Sequence, residues 1–247
     1  MKVTPIKTPV IHANEQSLLN ILDRNLPALQ EGSVLAITSK IVSLCEGSVA
    51  PEALGKDALM REHADMYIPA SENKYGFGFM LIKGTIIANA GIDASNADGQ
   101  LVLWPRDAQG TANTLRKHLR ETYNLQNLGV IITDSTSRPM RLGATGIGLA
   151  FSGFVPVHSY ATEPDLFGRT LQTDTADILD GLAAAAVLAM GEGAEQTPLA
   201  LIEDVPFVQF KDSDPDEHDL KTLNITLEDD LFAPFINNDK WQKNTDG

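Results

Sequence analysis

The 247-residue sequence predicts a mixed α+β fold, with mixed β-sheets and flanking helices, and three observations carry that expectation. Apolar runs rich in β-branched residues recur along the chain, as in SVLAITSKIVS, GVIITDS and PLALIED, and each reads as a strand. Helical periodicity recurs between them, but the two kinds of segment alternate irregularly, without the tidy order of a doubly wound parallel sheet. With 43% hydrophobic residues, no fixed-period repeat and no low-complexity linker, the chain can bury a core as one large domain or as two lobes.

In chain order, Asn14 is placed to cap a helix in which Leu18, Leu19, Ile21, Leu22 and Leu26 recur at helical spacing until Pro27. Residues 33–43 read as a buried strand running into a polar turn. FGFMLIKGTIIANAG reads as a hairpin turning at Lys83-Gly84, whose second strand delivers its end to Asp93. TANTLRKHLRETY has the pattern of an amphipathic helix, and GVIITDS that of a buried strand stopping at Asp134. DTADILDGLAAAAVLAMGEG reads as a long small-residue helix closed by Gly191 and Gly193, and PLALIED as a further strand. The polar stretch KDSDPDEHD, residues 211–219, reads as a surface loop.

Charge and composition exclude several classes of function. The balance of 33 acidic against 19 basic residues, a net charge of -14, repels polyanions, so no nucleic-acid partner is expected. The opening MKVTPIKTPVIHANEQ holds no apolar core of signal-peptide length, and the most apolar run, ILDGLAAAAVLAM, is interrupted by Asp180 and too short to span a bilayer. The expectation is a cytoplasmic protein without a membrane partner. Cys45, the single cysteine, allows neither an internal disulfide nor a cysteine cage and reads as a small apolar residue.

The chemistry-bearing residues are acids. The five histidines, His12, His63, His118, His158 and His218, form no metal-binding pair, which leaves zinc without support. Asp93, Asp134 beside Ser135, and Glu192 between two glycines each fall at the end of an expected element. Such residues cap turns, or else converge as the hard oxygen ligands that suit Mg²⁺ or Mn²⁺. A GxxxxGK[ST] loop is absent, and the glycines of RLGATGIGLA lack the strand-turn-helix context of a dinucleotide fingerprint. Arg138 and Arg141 follow Asp134 closely; their planar donor forks suit phosphate or carboxylate oxygens, and equally a structural salt bridge. Arg169 is open to the same two readings, and Lys40 is either a positive charge at a strand end or a solvated one. With neither a GxSxG elbow nor a histidine near Cys45, nucleophilic side-chain catalysis is disfavoured, and metal-assisted phosphoryl chemistry remains.

Five motifs in order, ITSKIVSLCEG, ANAGIDASN, GVIITDSTSRPMRLGATG, PDLFGR and MGEGAEQTP, together resemble the coenzyme F(420):L-glutamate ligase family of GTP-dependent γ-glutamyl ligases. The resemblance covers most of residues 1–205. It implies a γ-glutamyl ligase fold without a phosphate loop, one domain over residues 1–247 with 206–247 as a less well matched extension, and a homodimer. Carried over by motif, it implies metal ligands at Asp93 and Asp134 for one divalent cation and at Ser135 and Glu192 for another, giving two Mg²⁺ or Mn²⁺ per site. Nucleotide contacts fall on Thr8, Pro9, Val10 and Ile11, on Ser39 and Lys40, on Asn96, and on the stretch from Met190 through Gly191 and Gly193 to Thr197.

Departures from the family pattern bear on specificity. SLCEG stands where the family usually reads SKAEG, so Leu44 replaces a lysine and GTP against ATP is open. LWPRDAQGTA replaces LPxDPDxSA, and PASENKYGFGF is shorter than its counterpart; this is similar to a bacterial branch described as folate-metabolism γ-glutamate ligases. The implied reaction joins L-glutamate to a carboxylate of a deazaflavin- or pterin-like acceptor through an acyl phosphate, with Asp93, Asp134, Arg138 and Arg141 as its catalytic residues. The competing expectation is a catalytically silent nucleotide- or metal-binding regulatory protein.

Overall fold

The computed structural model describes residues 1–243; residues 244–247, the end of the expected 206–247 extension, lie outside them. The first elements are β1 (Lys2–Ile6), α1 (Leu18–Asn25), β2 (Ser33–Thr38), α2 (Ser39–Glu46), β3 (Val49–Pro51) and α3 (Lys56–His63). They are followed by β4 (Met66–Ile68), β5 (Phe79–Ile82), β6 (Thr85–Ala88), β7 (Gln100–Val102), α4 (Ala108–Tyr123), β8 (Leu128–Ser137) and β9 (Ala144–Ser152). The remainder is β10 (Val157–Ser159), β11 (Thr175–Asp177), α5 (Ile178–Met190), β12 (Leu199–Glu203), α6 (Glu217–Leu223), α7 (Ala233–Ile236) and β13 (Gln242–Lys243).

The expected mixed α+β architecture is present. Its main sheet has five strands in the order β1-β12-β2-β8-β9. β2 and β8 run parallel, and the other neighbours are antiparallel. Leu35 and Ile37 of β2, with Val130 and Ile132 of β8, pack into one core with residues of α1, α2 and α4. Val34, Ala36 and Ile131 point the other way, into a second core under α5. Because helices cover both faces, these strands are continuous apolar runs and do not alternate.

Close approach of α5 to the sheet depends on two glycines of β9. A Cβ at Gly146 would collide with the carbonyl of Ala183, and one at Gly148 with the side chain of Leu179. Gly146 and Gly148 of RLGATGIGLA therefore serve helix–sheet packing. A smaller sheet, in the order β13-β4-β5-β6, shares a core with α3 that includes Met60, Met80, Ala90 and Leu101. The hairpin expected at Lys83-Gly84 forms, with φ of 48° and 75° at those two residues, the left-handed pair that a two-residue turn between twisted strands requires.

Five boundaries differ from expectation, the first being the start of the helix read from DTADILDGL, where Thr175–Asp177 form β11 and α5 begins only at Ile178. Asn14 does not cap α1: its φ is 61°, its N–H donates to the Leu44 carbonyl, and the helix begins at Leu18 after Ser17. The run at 33–43 breaks at Thr38, and α2 takes over until Gly47, whose φ of 72° closes it. β8 does not stop at Asp134 but continues to Ser137, with a register shift against β9 between Ile132 and Thr133. That bulge re-aims the residues beyond it, so Asp134 belongs to the strand interior. Within 211–219, α6 begins at Glu217, behind reciprocal side-chain caps from Asp216 and Asp219.

Candidate active site

A cavity of about 740 Å³ opens where α2, β8 and the turn after α5 meet. Its wall includes Thr8, Pro9, Val10 and Ile11 after β1, Ser39 and Lys40 at the start of α2, and Asp93 and Asn96 from the ANAGIDASN turn. Asp134, Ser135, Met190, Gly191, Glu192 and Gly193 complete it. Every expected metal or nucleotide residue named from the motifs thus lies on one surface.

At its centre Lys40 Nζ donates to Asp93 Oδ2 at 2.5 Å, and to the carbonyl and hydroxyl of Ser95 at 3.1 Å each. The Asp93 carboxylate also accepts from the Ser95 amide and hydroxyl, both at 2.7 Å. Backbone bonds between Asp93 and Val102, at 3.0 and 2.8 Å, fix the turn that carries the acid. Burial acts to raise the Asp93 pKa, but hydrogen bonds from Lys40 and Ser95 and the lysine charge outweigh it, holding the carboxyl below its ordinary range.

Asp134 has the opposite setting. Desolvation dominates and pushes its pKa up to about 6, against hydrogen bonds from the Trp104 indole and the Ser135 amide; the negative charge of Asp93 adds to the rise and Lys40 opposes it. One acid held charged by Lys40 and a second one desolvated beside Trp104 make a centre that gains from a further cation.

The oxygen-rich donor set fits a hard divalent ion. Among the described residues no three Asp, Glu, His or Cys side chains group closely enough to hold a metal unaided. Mg²⁺ seldom needs such a cage, since one or two carboxylates, substrate phosphates and water complete its octahedron. The turn after α5 is tied across the cavity: Asn96 Nδ2 donates to the Gly193 carbonyl at 3.1 Å, and Thr8 N to the Gln196 carbonyl at 3.0 Å.

Arg138 and Arg141 lie elsewhere. Both are exposed on the turn between β8 and β9, outside the cavity wall, and the Arg138 guanidinium faces Asp180 at 3.9 Å. Arg169 is likewise exposed, in the loop between β10 and β11. Cys45 is only partly buried, yet desolvation, with the Glu46 charge behind it, raises its thiol to about 11, which suits an inert side chain. Sequence reasoning passed over two residues of the site. Ser95, whose hydroxyl and amide both serve Asp93, was legible as the third residue of an Asp-x-Ser turn. Trp104 lines the cavity and bonds Asp134 across 30 residues, a contact without a local sequence signal.

Comparison with known proteins gives the same direction as the geometry. Residues 5–204 match the family described as "F420-0:Gamma-glutamyl ligase". A "Coenzyme F420:L-glutamate ligase" from Methanothermobacter thermautotrophicus is 34% identical over 215 residues, covering 77% of this chain and 82% of that protein. One of the same name from Methanocaldococcus jannaschii is 31% identical over 246 residues, covering 89% and 96%. Another, from Methanosarcina barkeri, is 35% identical over 210 residues, covering 78% and 81%. With the match covering every residue that lines the cavity, the chain belongs to the F420-0:γ-glutamyl ligase family, whose members are amide-forming ligases.

Proposed function

We propose that the protein uses GTP to join the amino group of L-glutamate, through a γ-glutamyl ligation, to a carboxylate of a deazaflavin-type coenzyme F(420) precursor. The observation that carries this reading is the presence, in one cavity, of Asp93 ion-paired to Lys40, of the desolvated acid Asp134, and of the glycine-flanked turn 190–197. Membership of the ligase family supports the reaction class, and the relatives' names support the acceptor class.

A carboxylate does not condense with an amine in neutral water, because oxide is too poor a leaving group. In the proposed sequence an acceptor carboxylate oxygen attacks the terminal phosphorus of GTP, the bond to the bridging oxygen breaks, and GDP leaves. The glutamate nitrogen then attacks the acyl carbon of the resulting acyl phosphate, the carbon–oxygen bond breaks, and inorganic phosphate departs as the amine gives up a proton. Asp93 and Asp134, and Ser135 with Glu192, would hold divalent cations, and these would supply charge neutralisation on the phosphate oxygens. Lys40, beside Asp93, would offer its ammonium to the triphosphate. Asn96 and the backbone of Gly191 and Gly193 hold the nucleotide, the glycines letting it approach the main chain.

We also propose a homodimer. Met140 and Leu142, beside Arg138 and Arg141, are 95% and 106% exposed, and Leu166 and Phe167 are 99% and 94% exposed; such apolar surface favours a partner. In that assembly the two arginines clamp phosphate in the partner's cavity.

The test is to incubate the purified protein with GTP or ATP, isotopically labelled glutamate, and either a deazaflavin precursor or a reduced folate, and to read product masses. A labelled glutamyl residue on the deazaflavin, with GTP preferred, is expected. Product on folate alone would move the acceptor to the pterin class, and tight nucleotide binding with no product on either would leave a silent binding protein. Positional oxygen-isotope exchange in GTP, with acceptor but without glutamate, tests the acyl phosphate.

A further inference from the structure

Trp104 follows β7, and its ring reaches across to β8. The indole N–H donates to Asp134 Oδ2, while Asp134 Oδ1 accepts from the Ser135 amide at 2.8 Å. With one donor on each oxygen, rotating the carboxylate breaks both bonds, and one lone pair on each oxygen is left to face the cavity. An indole N–H can only donate, so it orients an acid without competing as a ligand.

The ring itself is anchored from two sheets, packing with Ile82 and Ile87 of the β5–β6 hairpin and with Ile147 of β9. Gly91 makes its position possible. A Cβ there would overlap the indole nitrogen, and the glycine's φ of 63° is one that other residues rarely adopt. Gly91 and Trp104 both line the cavity.

We propose that Trp104 is a positioning residue that holds the Asp134 carboxylate in the orientation needed to ligate a divalent cation, with Gly91 as the space that lets it do so. The proposal rests on the ligase reading insofar as that reading makes Asp134 a metal ligand.

The experiment uses Trp241→Phe protein, in which Trp104 is the remaining tryptophan. Its ¹⁵N-labelled indole gives one resonance, expected to shift on Asp134→Asn and to broaden when Mn²⁺ is added. Trp104→Phe keeps an aromatic ring and loses the donor; Gly91→Ala keeps the donor and displaces it. In the otherwise unaltered chain, each is expected to weaken Mn²⁺ binding, followed by electron paramagnetic resonance, by about tenfold or more. Each is also expected to lower kcat while leaving KM for glutamate unchanged.

Mn²⁺ affinity and kcat equal to the parent's in both variants would overturn the proposal and leave the ligase reading standing. An indole resonance indifferent to Asp134→Asn would overturn it even if Trp104→Phe failed to fold. A parent that binds Mn²⁺ but forms no product with any acceptor would remove the ligase reading instead, and the Mn²⁺ affinities would then decide the role of Trp104 alone.

Discussion

Lys40 and Asp93, 53 residues apart in sequence, meet in an ion pair of 2.5 Å on the wall of the cavity. The lysine caps an acid that the proposed reaction assigns to a cation. Lys40→Met is expected to lower kcat about a hundredfold, as loss of one oriented charge in a transition-state pocket does, with little change in melting temperature because Asp93 keeps a wet edge. Steady-state kinetics beside a thermal melt check both halves. Asp93→Ala is expected to abolish turnover with the fold retained.

Asp134 predicts a pH dependence in the metal-free protein. The folded chain keeps this carboxyl protonated up to about pH 6, whereas the unfolded chain releases the proton near 3.8. The folded state binds the extra proton between those values, so the associated stability is complete below about pH 4 and is lost as pH rises through about 6. The loss amounts to about 3 kcal/mol. Asp134→Asn removes the titration. It is therefore expected to melt higher than the parent at pH 7 without divalent cation, to be inactive, and to lose the stabilisation that Mn²⁺ gives the parent. A parent and variant with parallel stability curves from pH 4 to 7 would refute this account.

Packing of α5 on β9 separates two glycine substitutions. At Gly146 an added methyl meets the backbone carbonyl of Ala183, which cannot swing aside, whereas at Gly148 it meets the leucine side chain of residue 179. Gly146→Ala is expected to cost about 3 kcal/mol or more and Gly148→Ala about 1–2 kcal/mol. Urea titration of the two variants gives the order directly.

The proposed dimer makes a prediction about mixing. Asp93→Ala protein and Arg138→Ala/Arg141→Ala protein are each expected to be inactive alone. Unfolded together and refolded, they are expected to regain activity, because one of the two cavities in a mixed dimer has its own Asp93 and intact arginines from the neighbour. No recovery in a refolded mixture that regains full helicity would return the arginines to a structural role.

Much of this arrangement was legible before any coordinates. The runs at 85–88, 128–134 and 199–203 read as strands because burial on one or both faces leaves a dense apolar signature, and Gly191 marks the end of α5 because its φ of 82° is one that other residues rarely adopt. Asp93 and Glu192 stand out as acids in turns where the chain emerges from a core, and Asp134 as the first acid after the apolar run of β8. Three features were hidden. Residues 39–43 have strand-like side chains yet form a helix, where the β2–β8 pairing ends at Thr38 and Thr133. The bulge at Ile132/Thr133 leaves no mark in a run of β-branched residues. Trp104 serves Asp134 through a contact between distant segments, which no local pattern encodes.

The parallel pairing of β2 with β8 has a consequence for how the protein fails. Thr38 lies opposite Thr133, so Lys40 in the first turn of α2 and Asp134, the next residue of β8, come to the same end of the pairing. A slip of one residue between the strands would reverse which face each side chain occupies, turning the lysine away from the acids while leaving most apolar burial intact. Mutations in the connection 26–32 are thus expected to yield soluble, helical but catalytically dead protein: misalignment silences this enzyme before it melts it.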